Sequence, residues 1–351
     1  KQCLVGSEMC IRDSNNTVFL YDKRLVQNTN LEHDLNYGVW NKLIKMDQNA
    51  FVLQYSGSSS DGYLQTFTTS SDGNTITQVL EKEWGTKNDV YYPSFIRMSE
   101  DTYLIAYYGY NSGIKHDGTS VSNTWGQWLS VFQIKSDGSV INELGNFLHD
   151  TYTNSDPYND LIKIDDDTYA LAYKSYNYGP QTSGSWGGWI KTFKVNGGNI
   201  NQVNELQHYT SSDSYWHSWE RLSATTYALA WQGSGGDGYI TTFTISTDGA
   251  TITEISELEH DGNNGSYNSF AKLDDDTYVL AYTGDGSDGH ISTFTIPTNG
   301  ASITKVATLE HDNSYGIFNS LVRIDQNKFM LAYKASDTVS YTHLRAHETL
   351  L

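Results

Sequence analysis

The sequence predicts an all-β fold, a β-propeller of six four-stranded blades. Three observations predict it. A unit of roughly 50 residues recurs six times, and the phrases LEHD, TY-x-LAY, TFTI and DG-x-x-IT return at matching places in it. Each unit holds four short segments rich in β-branched and aromatic residues, here labelled strands A to D. The segments are separated by turn-forming dipeptides at fixed offsets. A period of this size with four strands per unit is the signature of a propeller.

Strand A starts at Asn41, Pro93, Asn159, His217, Asn268 and Asn319. A short acidic connection follows, such as Asp165-Asp166-Asp167 or Asp274-Asp275-Asp276. These Asp runs lack calcium-loop spacing and read as hairpin turns. Strand B is FVLQY, YLIAY, YALAY, YALAW, YVLAY and FMLAY, near-continuous apolar runs that suit a strand buried on both faces between neighbouring blades. Strand C is the YLQTFTT, WLSVFQI, WIKTFKV, YITTFTI and HISTFTI series. The C–D turns are Asp72-Gly73, Asp137-Gly138, Gly197-Gly198, Asp248-Gly249 and Asn299-Gly300, which tolerate positive φ and favour tight hairpins. Strand D runs from the IT dipeptide to LEHD.

There are six A–B pairs but five C–D pairs within the repeats. Residues 17–34, TVFLYDKRLVQNTNLEHD, read as a degenerate C–D pair. Joined to the last A–B pair, residues 319–335, they are expected to complete the sixth blade and close the ring, which removes exposed sheet edges. A larger natural blade number stays open. The propeller is expected over residues 15–338. Residues 1–14 (KQCLVGSEMCIRDS) and 339–351 (VSYTHLRAHETLL) fit no repeat, and both resemble translated sequencing-adapter sequence. They are expected to be a non-native leader and tail. Cys3 and Cys10 lie in that leader, so the repeat body offers no disulfide or thiol chemistry.

Composition narrows the function classes. Of the 351 residues, 38% are apolar and 18% charged, enough for a packed core. A net charge of −19 repels phosphate backbones, so nucleic acid is not an expected partner. No apolar run is long enough for a membrane-spanning helix, so no membrane insertion is expected.

The residues that depart from the repeat, or crowd one face, are the candidate site. B–C and D–A connections share one face of a propeller. Both long insertions are B–C connections: YGYNSGIKHDGTSVSNTWGQ in repeat 2 and KSYNYGPQTSGSWGG in repeat 3. They carry Tyr108, Tyr110, Trp125, Trp128, Tyr176, Tyr178, Trp186 and Trp189, flat rings suited to stacking on the C–H faces of sugars. The alternative role is to cap the blades. A second aromatic set, Trp40, Tyr92, Tyr158, Trp216, Tyr267 and Phe318, precedes strand A in every repeat and is expected to ring the channel mouth, as a ligand site or as inter-blade packing.

The histidines His33, His149, His208, His260 and His311 recur with the blades, which favours a repeated hydrogen bond over metal binding; no metal or cofactor is expected. The basic residues Lys45, Arg97, Lys163, Arg221, Lys272 and Arg323 are expected to pair with acidic side chains, with an anion site in the channel as the sharper alternative. Repeat 4 departs most: Glu220 stands where the others hold Ile44, Ile96, Ile162, Ala271 and Val322, flanked by Trp216, His217 and Trp219. A carboxylate there needs a partner or a wet channel. Asp160, in place of the usual Ser, is a second candidate carboxylate.

The body resembles a tandem-repeat β-propeller of no assigned family. The WD dipeptide of WD40 repeats and the double glycine of kelch repeats are absent. The S-x-D-G-x-x-I turn is similar to the Asp-box of sialidases, but its glycine comes one place early and the tryptophan is missing, so sialidase chemistry is not carried over. Three functions compete. The leading one is an extracellular or cell-surface module that binds a glycan or a protein partner on the insertion face. The others are a carbohydrate-active enzyme using Glu220 and Asp160, and a purely structural repeat of a larger surface protein.

Overall fold

The structure is a computed structural model. It describes residues 9–12, 18–21, 29–34, 38–84, 90–151, 158–177, 185–211, 213–325, 328–335 and 342–348, with backbone alone for 9–12, 18–21, 177, 185, 325, 328 and 342–348.

Five antiparallel sheets of four strands follow one another, each in the simple order A-B-C-D. Blade 1 is Val39–Lys45, Ala50–Ser56, Gly62–Thr69 and Ile76–Trp84; blade 2 is Val90–Arg97, Thr102–Lys115, Ser120–Ile134 and Ile141–Asp150. Blade 3 is Asp160–Lys163, Thr168–Asn177, Ser185–Asn196 and Asn199–Tyr209; blade 4 is Tyr215–Arg221, Thr226–Gln232, Gly238–Ile245 and Ile252–Asp261. Blade 5 is Ser266–Lys272, Thr277–Thr283, Gly289–Thr295 and Thr304–Asp312. The predicted all-β propeller is thus present, with five complete blades.

The sixth sheet corrects the expectation. It has three strands, Ile317–Asp325, Lys328–Lys334 and Thr342–Glu348. The segment Val18–Tyr21, expected to pair with this last hairpin, pairs instead with Met9–Arg12, and the third strand comes from the tail, Leu331 opposite Arg345. A strand joined to the hairpin by a short connection closes a far smaller loop than one at the other end of the chain, and so pairs at lower entropic cost. One part of the expectation survives: His33 sits edge-on to Tyr55 with ring centroids 4.7 Å apart, the place its counterparts hold in the complete blades.

The core lies in the seams between blades. Five apolar clusters fill five consecutive seams; that between blades 3 and 4, for example, joins Ala170, Ala172 and Ile190 to Trp219, Leu229 and Phe243. On the side of blade 1 that faces the sixth sheet, a small cluster of Leu53, Tyr55 and Phe67 remains, and Leu43, whose counterparts Phe95, Trp219 and Phe270 are buried, is 59% exposed. No helix among the described residues is long and apolar enough to cross a membrane.

The repeated residues fasten each blade to the next. The histidine of each LEHD-type phrase packs edge-on against the aromatic that ends strand B of the following blade: His149 on Tyr173, His208 on Trp231, His260 on Tyr282 and His311 on Tyr333. Burial pushes the His260 imidazole down to about 3, so it stays neutral. The basic column does not chiefly serve the carboxylates expected for it. Arg97 Nη1 donates to Met46 O at 2.7 Å, Lys163 Nζ to Met98 O at 2.8 Å, and Arg221 Nη2 to Ile164 O at 2.7 Å, each reaching the end of the preceding strand A. Carbonyls there have no sheet partner, so a cation satisfies them. Three of the five C–D turns also dock on a neighbour: Thr66, Thr192 and Thr242 Oγ1 donate to Gly138, Gly249 and Gly300 O at 2.7–2.8 Å. Those glycines sit at φ of +68° to +75°, as the tight turn requires.

Candidate functional site: an aromatic collar at the channel mouth

The six aromatics that precede strand A share one backbone feature. Trp40, Tyr92, Tyr158, Trp216, Tyr267 and Phe318 all have positive φ, between 48° and 56°. For a bulky side chain this left-handed conformation costs about 1–2 kcal/mol. It arises from a β-bulge at the head of strand A: in blade 2, Tyr92 and Pro93 together oppose Tyr107 alone, and blades 1, 4 and 5 and the last sheet repeat the shift. Glycine commonly takes this bulge position. Here an aromatic takes it, and the bulge turns the ring towards the axis.

The rings then meet in series. Centroid distances are 5.1 Å for Trp40–Tyr92, 4.5 Å for Tyr92–Tyr158, 4.5 Å for Tyr158–Trp216, 3.8 Å for Trp216–Tyr267 and 4.7 Å for Tyr267–Phe318. The residue after four of the rings, Tyr158, Trp216, Tyr267 and Phe318, reaches back one blade. Asn159 Nδ2 donates to Tyr92 O at 3.3 Å, His217 Nδ1 to Tyr158 O at 2.8 Å, and Asn268 Nδ2 to Trp216 O at 3.1 Å. Because a carbonyl only accepts, His217 carries its proton on Nδ1, and its Nε2 accepts from Ser214 Oγ at 2.9 Å. Burial lowers the His217 pKa to about 4, so the ring is neutral. The collar is therefore inter-blade packing, and it also bounds a cavity.

That cavity measures about 260 Å³. Trp40, Tyr92, Tyr158 and Trp216 wall it, and Asn41, Asn159, Asn319 and Lys42 add polar groups. Lys42 was not singled out from the sequence, although the signal was there. Its column reads Lys42, Ser94, Asp160, Ser218, Ser269, Ser320, so it departs from serine as Asp160 does. The serines are clamps: Leu161 N donates to Ser94 Oγ at 3.0 Å and Phe270 N to Ser218 Oγ at 3.0 Å. Asp160 does the same work with a carboxylate, accepting from Trp219 N at 2.8 Å and from Ser94 Oγ at 3.3 Å. Burial raises its pKa, and the Lys42 charge and these hydrogen bonds oppose the rise. Glu220, further along strand A of blade 4, accepts from Arg221 N at 3.1 Å. Its pKa is also raised, chiefly by burial, with Lys272 opposing and the Asp160 charge adding to the rise. The structure thus brings Asp160 within electrostatic reach of Lys42 on one side and of Glu220 on the other.

The insertion residues divide. Trp128 is fully buried, its Nε1 donating to Gly109 O at 3.2 Å, and Trp189 is 2% exposed in the seam of blades 2 and 3. Both pair across strands B and C, opposite Tyr107 and Tyr173, which directs them inward. Tyr110, Trp125 and Trp186 are partly exposed. Trp125 stacks on Tyr108 at 5.4 Å and meets Tyr110 at 5.7 Å, and Trp186 meets Tyr176 at 5.7 Å. Tyr178 lies outside the described residues. The repeat-2 insertion is a continuation of the B–C hairpin, paired out to Ile114 and Ser120, rather than a loop. Among the described residues no group of histidines, cysteines or carboxylates has the geometry of a metal site.

No family model matches the sequence, and no curated protein matches it. Solved structures do match in shape. A protein of unknown function from Dyadobacter fermentans aligns with a TM-score of 0.55 at 14% identity, covering 88% of this chain and 93% of its own. The NanB sialidase of Streptococcus pneumoniae aligns with a TM-score of 0.55 at 9% identity, covering 90% of this chain and 68% of its own. A hypothetical selenium-binding protein from Sulfolobus tokodaii gives 0.55 at 9% identity, covering 82% and 68%. At such identities the likeness is one of fold, and these three proteins place the chain among the β-propellers.

Proposed function

We propose that this chain is a non-catalytic binding module, extracellular or cell-surface, that holds a glycan at the collar end of its channel. One observation carries the reading: four aromatic rings wall a cavity that is completed by three side-chain amides, Lys42, His217 and Pro93. Aromatic faces offer stacking to the C–H face of a sugar, and amides offer paired donors and acceptors to its hydroxyls. The strain held in every collar residue fixes the rings before a ligand arrives, which lowers the entropic cost of binding.

The test is a glycan-array screen of the intact chain beside Trp40→Ala and Tyr92→Ala, with circular dichroism confirming that each variant is folded. The expected result is binding that weakens about tenfold or more in both variants, the loss of one buried aromatic contact. Binding that survives in both variants moves the ligand away from the collar.

A carbohydrate-active enzyme is the second reading, favoured by the electrostatic coupling of Asp160 and Glu220. Glycoside hydrolysis uses a pair of carboxylates with pKa values pushed apart, whereas burial here raises both. Against it, both Asp160 oxygens are engaged by the fold. Glycan turnover that is lost in Glu220→Gln with binding retained would decide for the enzyme.

A further inference from the structure

Two runs of aromatic contact leave the collar, and both consist of residues that break the repeat. The first passes from Trp40 to Tyr91 at 5.4 Å, to Tyr108 at 6.1 Å, to Trp125 at 5.4 Å and to Tyr110 at 5.7 Å, out along the blade-2 hairpin. The second passes from Tyr158 to Tyr215 at 5.0 Å. There Lys174 Nζ lies 3.9 Å over the Tyr215 ring and 5.6 Å from that of Trp186. Where blade 2 has Tyr91 and blade 4 has Tyr215, other blades hold Val39, Ser266 and Ile317; where blade 2 has Tyr108, others hold Ser56, Gln232 and Thr283. Packing alone does not require aromatics there, because the other blades pack without them.

The first run is also braced. The hairpin curls back so that Ile114 and Lys115 pair in parallel with Phe147 and Leu148 of the outer strand of the same blade. Gly113 permits the approach: a Cβ there would lie 2.4 Å from Asn146 O. A rigid strip of rings with partly exposed Trp125 and Tyr110 at its far end is a platform. The cavity itself, about 260 Å³, is smaller than the roughly 300–1,000 Å³ that enclose a drug-sized ligand.

The geometry points to a ligand that is a chain. We propose that the site takes an extended neutral oligosaccharide, one end seated in the collar and the following units stacked along Tyr91, Trp125 and Tyr110. This rests on the glycan reading above and adds the ligand's length and direction. Neutrality follows from the net charge of −19, which repels a polyanion.

The experiment is an array of neutral gluco-, manno-, xylo- and galacto-oligosaccharides of graded length, from the single sugar upward, probed with the intact chain and with Trp125→Ala and Tyr110→Ser. The expected result is affinity that climbs with length by about tenfold or more for the native chain. Each variant should lose that climb while keeping the binding of the shortest ligands. Length-independent binding, or a climb unchanged in both variants, overturns the platform and leaves the collar site standing. An array blank at every length, including for a chain that binds only a protein partner, overturns both.

Discussion

His217 offers the sharpest test of how the collar is held. It is the one residue of its column that titrates: the others are Asn41, Pro93, Asn159, Asn268 and Asn319. Burial keeps its folded pKa at about 4, while an unfolded histidine titrates near 6.5. The folded pKa is depressed, so the unfolded chain takes up a proton first. The stability held by the neutral ring is fully present above about pH 6.5 and is lost as pH falls towards about 4, at about 1.36 kcal/mol per pH step, roughly 3 kcal/mol in all. His217→Asn keeps a donor for Tyr158 O, as Asn159 does for Tyr92 O, but gives up the bond to Ser214. That loss costs about 1 kcal/mol at pH 7. Urea unfolding followed by tryptophan fluorescence should therefore show the variant less stable at neutral pH and more stable in acid, the two curves crossing between about pH 5 and 6. The difference between the two chains removes the contributions of the buried histidines elsewhere, leaving only His208, whose ring lies 5.9 Å from that of His217, coupled to the substitution. Parallel curves across that range would refute the reasoning, because they mean that His217 is free to protonate in the folded state.

Three further outcomes follow from the same contacts. Glu220→Ile restores the residue type of the other blades and removes a carboxylate whose pKa burial has raised; it should stabilise the chain by about 1–2 kcal/mol at pH 7 in urea unfolding, and the gain should shrink as pH falls towards the ordinary carboxylate value. Thr242→Val removes the hydroxyl that fastens the Gly300 turn and leaves that carbonyl without its donor, costing about 1–3 kcal/mol in the same assay. Trp128→Ala should cost about 3–5 kcal/mol, because the ring is fully buried, whereas Trp125→Ala at the partly exposed platform should leave the thermal midpoint within a few degrees of the native chain.

Much of the fold was legible because each blade repeats the same local problem. The 50-residue period, the two-sided apolar strand B and the Asp-Gly turns each report on one blade, and five copies agree. The repeat marks the LEHD histidine as structural but suggests the wrong contact: it predicts a repeated hydrogen bond, and the ring instead packs edge-on against the strand-B aromatic of the next sheet. What stayed hidden depends on relations between blades. The left-handed collar residues could not be foreseen, because nothing in Trp40 or Tyr267 as residue types favours positive φ; the bulge imposes it. The basic column reads as ion pairing in sequence, yet its partners are carbonyls, which leave no trace in the residue pattern. Trp125 and Trp128 look alike in sequence, and only the strand register turns one inward and leaves the other at the surface. Lys42, Tyr91 and Tyr215 emerge from a column-by-column comparison of the repeats. They depart from columns whose common residues are small or aliphatic, and such departures mark the candidate site better than the repeated residues do.

The most direct measurement is a crystal structure of the intact chain soaked with the tightest-binding oligosaccharide from the array. The account predicts a sugar ring seated inside the collar against Trp40, Tyr92, Tyr158 or Trp216, with the chain leading over Tyr91 towards Trp125. A ligand found on the opposite face or along the outer strands, with the collar unchanged, would contradict it.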